Sequence, residues 1–289
     1  MVLVSGKTMK IGKFTVQATL GTGAHSSILQ VRRADDSRTY ALKVVNIDEP
    51  EDMKFLHQAE HEFEILQKLG HPNIIKAHAL EKEKAWVFGK VTKVHLLMEF
   101  VNGQTMDKAR LTLPQKVHAF RLVSEALVHM HRRDVLHGDL KPNNVMVGKK
   151  GVLKVIDFGL AHIRGEAKER ITGTPEYIAP ETVKSKILSE RTDFYNFGAL
   201  MYRAITNQTL MPRIDEGGEV IEEKVWAKYY KPIEEILPGI DADLAKLVGD
   251  CLQTDPRKRP ERASDLQNIL SQVEERLVPN PEKGLDGLE

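Results

Sequence analysis

The chain has 289 residues, 42 Lys+Arg against 41 Asp+Glu, and 41% apolar residues, an ordinary globular composition with room for two lobes or domains. The formal net charge of +1 removes the electrostatic case for nucleic acid or a membrane surface as main partner. One cysteine, Cys251, excludes an internal disulfide framework and a cysteine zinc site; no apolar run is long enough for a membrane anchor, and Met1 to Lys10 lacks a signal-peptide core, so a cytoplasmic setting is expected.

Residues 11–47 read as strands. Phe14 to Leu20, Ile28 to Arg33 and Tyr40 to Val45 are apolar or β-branched runs, broken by Gly21-Thr22-Gly23 and Asp35-Asp36-Ser37. Residues 52–69 switch to helical period, with Phe55, Ala59, Phe63, Leu66 and Leu69 three and four apart, and His71-Pro72-Asn73 stops that helix. Two further strand-like runs are expected at Ala85 to Val91 and Val94 to Phe100, with a slightly long hairpin over Ala85 to Lys93 that carries Trp86 and Phe88.

The texture changes after Asn102-Gly103. Leu113 to His131 places Val117, Phe120, Val123, Leu127 and Met130 on one stripe, and residues 192–206, 221–236, 241–253 and 263–277 also read as helices. Short strands are expected at Val145 to Val147 and Leu153 to Ile156. A boundary at 101–104 thus separates a small β-rich lobe from a larger helical one, and Val278 to Glu289, rich in Pro, Gly and charge, reads as a frayed tail.

Three segments carry chemistry. Gly21-Thr22-Gly23-Ala24-His25-Ser26 lies between two strands, where glycines let backbone N–H groups approach a phosphate, although a plain hairpin turn fits equally. Lys43 sits inside an apolar strand, and an inward lysine needs a partner; Glu62 shares the inner helix face with Ala59 and Leu66, whereas Glu60 and Glu64 point elsewhere. His137-Gly138-Asp139-Leu140-Lys141-Pro142-Asn143-Asn144 offers a carboxylate, a cation and an amide within six residues, and Asp157-Phe158-Gly159 follows 13 residues after Asn144. Such Asp and Asn oxygens suit a hard cation, and together the spacings point to phosphoryl transfer.

Over roughly residues 12–275 these motifs resemble the eukaryotic-type Ser/Thr protein kinases. The resemblance implies an α+β, bilobal kinase-like fold. It implies an N-terminal extension over 1–11, an N-lobe over 12–100 with one regulatory helix, a hinge at 101–104, a helical C-lobe over 105–275 and a tail over 276–289. It further implies ATP-dependent transfer to Ser/Thr hydroxyls of protein substrates. Gly21 and Gly23 would cover the phosphates, Lys43 would hold them and Glu62 would orient Lys43. Asp139 would be the base and Lys141 would meet the γ-phosphate; Asn144 and Asp157 would hold Mg²⁺ or Mn²⁺. Leu20, Ile28, Ala41 and Met146 would enclose the adenine ring, with Met98 as gatekeeper and the Glu99 and Val101 backbones on the adenine edge. Ala179-Pro180-Glu181 would close the activation segment, Asp193 would hold the catalytic-loop backbone, and Arg259 would pair with Glu181. The lack of a long C-lobe insert, the compact length and Gly138 resemble bacterial members of the family.

Three departures carry consequences. Ser26 replaces the third loop glycine and is less permissive there. Gly138 replaces the arginine that receives an activation-loop phosphate in the family, so activity is expected without that phosphorylation; Arg170 stands about where relatives carry the phosphorylated threonine, near Thr172. Asn143, with Thr105 and Asp107, stands where arginine-directed kinases carry acidic residues, so no strong arginine selection is expected. Two rival readings remain. A small-molecule phosphotransferase shares His137-Gly138-Asp139 but lacks Lys141, the Gly173 to Glu181 segment and Arg259. A nucleotide-binding pseudokinase scaffold does not need the full set from Lys43 to Asp157.

Overall fold

The computed structural model describes residues 9–85, 89–166, 173–185, 188–215, 217 and 219–277. Trp86, Phe88, Arg170, Thr172 and the tail from Val278 lie outside the described residues. The chain divides into two compact units, one running to Gly70 and including Ile75–Val101, the other comprising His71–Ile74 and everything from Asn102.

The smaller unit is built on a six-stranded antiparallel sheet. Its strands are β1 (Lys10–Ile11), β2 (Phe14–Thr22), β3 (Ser26–Arg33), β4 (Thr39–Asn46), β5 (Ala77–Lys84) and β6 (Val91–Glu99), in the order β1-β2-β3-β4-β6-β5. Alternation along each strand gives the sheet two apolar faces. One gathers Phe14, Leu29, Val31, Leu42, Val44 and Leu97 into a core. The opposite face carries Val45, Ile47 and Val94 and packs against Leu56 and Ala59 of α1 (Met53–Lys68). The buried stripe of α1 is Leu56, Ala59, Glu62, Ile65 and Leu66, one position round from the expected one, leaving Phe55 and Phe63 only half-buried.

Of the strand expected at Ala85 to Val91, residues 86–88 lie outside the described residues, Val91 opens β6, and the Ala85 N–H donates to the Lys90 carbonyl at 2.8 Å between β5 and β6. The strand itself, Ala77–Lys84, escaped notice because it is a sheet edge ending in the exposed run Glu81-Lys82-Glu83-Lys84. Charge on an edge strand is a common guard against mispairing, and it hides the apolar alternation.

The larger unit is helical. Its long elements are α2 (Leu113–His131), α4 (Glu190–Thr206), α7 (Ala242–Cys251) and α8 (Ala263–Leu277), with the short α3 (Pro180–Ser185), α5 (Glu223–Trp226) and α6 (Ile233–Ile236) between them. The α2 stripe of Val117, Phe120, Val123, Leu127 and Met130 is fully buried. Phe120 meets Phe197 of α4 edge-on at 6.3 Å, and His118 and Arg121 hold the buried Glu274 of α8. The helix expected over 221–236 is two single turns, α5 and α6. Pro232 cannot donate to a helix and pushes Lys231 away from helical geometry, which breaks the run. Among the described residues no helix is long and apolar enough to cross a membrane.

Small strands complete this unit. β7 (Gly103–Thr105), β9 (Val145–Gly148) and β10 (Leu153–Val155) form one sheet, and β8 (Val135–Leu136) pairs with β11 (His162–Ile163). They frame two loops, Gly138 to Asn144 and Asp157 to Ala161, which carry the candidate residues Asp139, Lys141, Asn144 and Asp157.

Candidate active site

In the smaller unit, β4 positions Lys43 by register. Ile28 of β3 lies opposite Lys43, which lies opposite Leu96 of β6, and Ala41 lies opposite Met98. With a period of two, Ile28, Ala41, Lys43, Leu96 and Met98 share the face on which α1 packs. Glu62, buried on α1, accepts a hydrogen bond from Lys43 Nζ at 2.7 Å. The ammonium therefore has a fixed counter-ion while keeping 19% of its side chain exposed.

The glycine loop is the β2–β3 turn, closed by Gly23 N–H donating to the Ser26 carbonyl at 2.7 Å. Its tip is tied down: the His25 ring stacks on Phe55 with centroids 4.3 Å apart, and Nδ1 lies 3.5 Å from Asp52. A bulge between Thr19 and Gly21 leaves Leu20 without a partner on β3. Leu20 is 49% exposed, so it is not a core residue, and a bulge is a common means of re-aiming one side chain. Met98 and Val101 are buried, and Glu99 exchanges hydrogen bonds with the Lys76 backbone at 2.7 and 2.9 Å.

In the larger unit the chemistry gathers on Asp139, which is 6% exposed. One carboxylate oxygen accepts from Lys141 Nζ at 2.6 Å and from the Asn144 amide at 3.3 Å; the other accepts from the Thr174 N–H at 3.2 Å. Lys141 Nζ also donates to Thr174 Oγ1 at 2.7 Å, so one ammonium bridges the loop and the segment opposite. That segment comes close because residue 173 is glycine. Its φ of +131° suits only glycine, and a Cβ there would lie 3.5 Å from the Asp139 carboxylate.

The loop backbone is held from below by Asp193 of α4, which is fully buried. It accepts from the N–H groups of His137 and Gly138 at 3.0 and 2.8 Å and from His131 Nε2 at 2.8 Å. Burial alone would raise this carboxyl, but those bonds and the His131 charge outweigh it and hold Asp193 below the ordinary aspartate value. Gly138 has φ +73°, and a Cβ there would sit 3.0 Å from the Leu160 carbonyl and 3.1 Å from Leu188.

Asn144 spends its amide nitrogen on the Asp139 carbonyl at 2.9 Å as well as on the carboxylate. The Asn144 backbone carbonyl accepts from the Ile156 N–H at 2.8 Å, which brings Asp157, the next residue, alongside. Asp157 is exposed, at a φ of +64°, while Phe158 is buried against the His137 ring. Met146 lies half-buried on β9, opposite Thr105 and Lys154. Glu181 receives a two-pronged contact from the buried Arg259, 2.8 Å on each arm.

A comparison with protein-family models matches the protein kinase domain over residues 14–272. The chain belongs to the protein kinase family. Among curated proteins it is 28% identical over 251 residues to CBL-interacting protein kinase 21 of Oryza sativa subsp. japonica, covering 83% of this chain and 46% of that protein. It is 28% identical over 260 residues to Aurora/IPL1-related protein kinase 2 of Caenorhabditis elegans, covering 88% and 81%. It is also 28% identical over 270 residues to serine/threonine-protein kinase AtPK1/AtPK6 of Arabidopsis thaliana, covering 90% and 54%. The chain thus spans about half the length of the rice and Arabidopsis relatives. Membership makes this the α+β protein-kinase fold, and protein phosphotransfer in that family in general uses ATP and a divalent metal.

The kinase also contains a buried cation that sequence reasoning passed over. Arg213 is 1% exposed. It donates to Glu223 at 2.8 Å, to the Tyr195 hydroxyl and the Leu252 carbonyl at 3.2 Å each, and stacks over Trp226 at 3.3 Å. Its partners are scattered along the chain, so no local spacing announces it.

Proposed function

We propose that this kinase transfers the γ-phosphoryl group of ATP to serine and threonine hydroxyls of protein substrates, and that it does so without activation-loop phosphorylation. The domain carrying that activity is assigned to residues 12–275. The observation that carries the reading is the Lys141 ammonium bridging the Asp139 carboxylate and Thr174 Oγ1.

The roles follow from chemistry. Asp139 is aimed by three donors, ready to orient an acceptor hydroxyl. The hydroxyl oxygen bonds to the γ-phosphorus as the bond from that phosphorus to the β–γ bridging oxygen breaks, and the hydroxyl proton passes to Asp139. Lys141 is placed to offset charge on the transferring phosphoryl group, and Lys43, oriented by Glu62, to offset charge on the rest of the triphosphate. The glycine loop and the apolar face of Ile28, Ala41 and Met98 are assigned to the nucleotide, with Leu20, Met146 and the Glu99 and Val101 backbones.

Asn144 and Asp157 fit a hard cation. Both offer oxygen, and the Asn144 nitrogen is already committed to Asp139, which leaves its amide oxygen as the free acceptor. Among the described residues no cluster of three or more His, Cys, Asp or Glu could hold a metal. Two protein oxygens match Mg²⁺, or Mn²⁺ in its place, which takes its other ligands from water and phosphates. When bound, the ion supplies charge neutralisation on the phosphates.

Independence from loop phosphorylation is supported by Gly138, where the usual phosphate-receiving arginine is missing, and by a catalytic loop already assembled around Asp139 and Thr174. The test is incubation of phosphatase-treated protein with Mg-ATP and a generic protein acceptor, beside Asp139→Asn. Phosphoserine or phosphothreonine formed at once, and absent with the variant, is the expected result. Activity that returns only after phosphorylation at Thr172 would overturn the second half of the proposal.

A further inference from the structure

We propose that a pocket beside the catalytic loop, bounded by Arg110, Lys116 and Arg203, recognises an acidic side chain of the substrate peptide. The proposal rests on the protein-kinase reading and names a substrate class for it.

The pocket is a cavity of about 150 Å³. Its walls are the segment Met106 to Leu111, the first turn of α2 with Lys116, Pro142 of the catalytic loop, and the end of α4 with Arg203. Pro142 follows Lys141 directly, so the pocket adjoins the residues that meet Asp139. The substrate side of the loop is close in a second way. Burial pushes the Tyr177 hydroxyl up to about 12, while the charge of Arg203 pulls it down. Tyr177 lies three residues after Thr174, which hydrogen-bonds Asp139.

Three cations face one carboxylate, Asp107, and Asp107 accepts from the Asn143 amide at 3.3 Å. Among the described residues, neither Arg110, Lys116 nor Arg203 forms an ion pair. Arg203 donates to the Asn207 carbonyl at the end of α4. A cation at a helix C-terminus is commonplace, and that explains Arg203 taken alone. It does not explain why Lys116, from another helix, is half-buried in the same concavity without an ion-pair partner among the described residues. Burial holds its ammonium below the usual lysine range, with no neighbouring charge opposing that effect. Half-buried cations without a counter-ion are costly, and an anion entering the pocket would relieve Lys116 and Arg203 at once, with the exposed Arg110 at the rim adding to the attraction. The anion is a carboxylate or a phosphate on a peptide whose acceptor residue lies at Asp139. Two or three charge-assisted hydrogen bonds in a partly desolvated pocket correspond to a preference of about 10- to 100-fold.

The test uses the full chain and a set of peptides with one acceptor serine in a neutral frame. Aspartate, arginine or non-acceptor phosphothreonine is placed singly at each flanking position. The measured quantity is the ratio of kcat/KM for the aspartate and arginine peptides at each position, taken on one preparation so that any loss of folded protein cancels. The wild type is expected to favour aspartate about 10- to 100-fold at one or two positions, and Arg203→Glu and Lys116→Glu to bring that ratio to parity or invert it. A phosphothreonine gain above that of aspartate identifies the anion as phosphate, and an equal or smaller gain identifies it as carboxylate. Equal use of aspartate and arginine at every position, or a preference untouched by both variants, overturns the proposal. Binding of the best acidic peptide, followed by fluorescence anisotropy without nucleotide, separates the two readings. Binding lost in Arg203→Glu with no phosphate transferred to any acceptor keeps the pocket and sinks the kinase reading. Transfer to neutral peptides without charge preference keeps the kinase reading and sinks the pocket.

Discussion

The two units hold their charged groups in opposite ways. In the smaller one, an ion pair ties strand β4 to helix α1: Lys43 reaches Glu62 at 2.7 Å, on a sheet whose register fixes where Lys43 can point. In the larger one, Asp139 is gripped by Lys141, Asn144 and Thr174, and the loop beneath it hangs from the buried Asp193. A sheet can present one residue with little help, because hydrogen-bonded neighbours already fix its direction. A loop has no such ladder, so its backbone N–H groups need a buried acceptor of their own. The difference teaches where each half is vulnerable: the loop through its supports, the strand through the ion pair that aims its lysine.

The sharpest way to break the comparison is at the loop itself. Asp139→Asn should lower kcat by about 10²- to 10⁴-fold, or roughly 3–5 kcal/mol of barrier. Nucleotide affinity should stay close to wild type, since no donor around Asp139 is removed; steady-state kinetics beside nucleotide titration checks both. Loss of nucleotide binding would show that the loop cannot be altered without disturbing the rest.

The support comes next. Asp193→Asn leaves His131 and two backbone N–H groups around a neutral amide, and breaking a buried charged network of this kind costs about 3–5 kcal/mol. The pH dependence has a definite sign. Asp193 is held below its unfolded value, so its contribution is fully present above about pH 4 and is lost as pH falls through the lower folded value. Wild type and variant should therefore differ most near neutrality and converge in acid, which denaturant melts at pH 7 and in acid would reveal. A gap that widens in acid would contradict the assignment.

Much of this was legible beforehand because the spacings are short. Asp139, Lys141 and Asn144 fall within six positions, and Glu62 follows Ala59 and precedes Leu66 on one helix face, so local geometry alone brings them to one side. Long-range packing was not legible. Nothing adjacent to Arg213 marks it as buried, since Tyr195, Trp226 and Leu252 lie 13 or more residues away. Strand β5 was hidden by its charged edge, and the helix expected over 221–236 failed at Pro232, whose effect outweighed the apolar spacing around it. The pocket at Arg203 needed three separate chain segments to converge, which no motif encodes.

Gly198 of α4 tests the scaffold beneath the loop. A Cβ there would lie 2.6 Å from Cys251 Cβ and 3.3 Å from Leu252, so α4 and α7 can approach this closely only over glycine. Gly198→Ala should cost about 1–3 kcal/mol of stability through overpacking, read as a lowered Tm. Because α4 also carries Asp193, part of the loss should reappear as reduced kcat. A stability change without any kinetic change would mean that the loop tolerates movement of its support.

The smallest effect is expected on the strand side, and it decides whether the Lys43–Glu62 ion pair matters for position or for folding. Glu62→Gln removes the charge but keeps a side chain of the same length, so the amide oxygen can still accept from Lys43. Lys43, partly exposed, then recovers some hydration, and little stability should be lost. Activity should fall about tenfold, chiefly as a higher KM for ATP, since an amide aims the ammonium less firmly than a carboxylate. Lys43→Arg sharpens the result. It keeps the charge, yet the wider guanidinium does not fit the point at which the ammonium meets Glu62, and a loss as large as that of Glu62→Gln would show that direction counts as well as charge. If Glu62→Gln instead lowers the melting temperature as much as Asp193→Asn does, the contrast between a supported loop and a self-supporting strand is wrong.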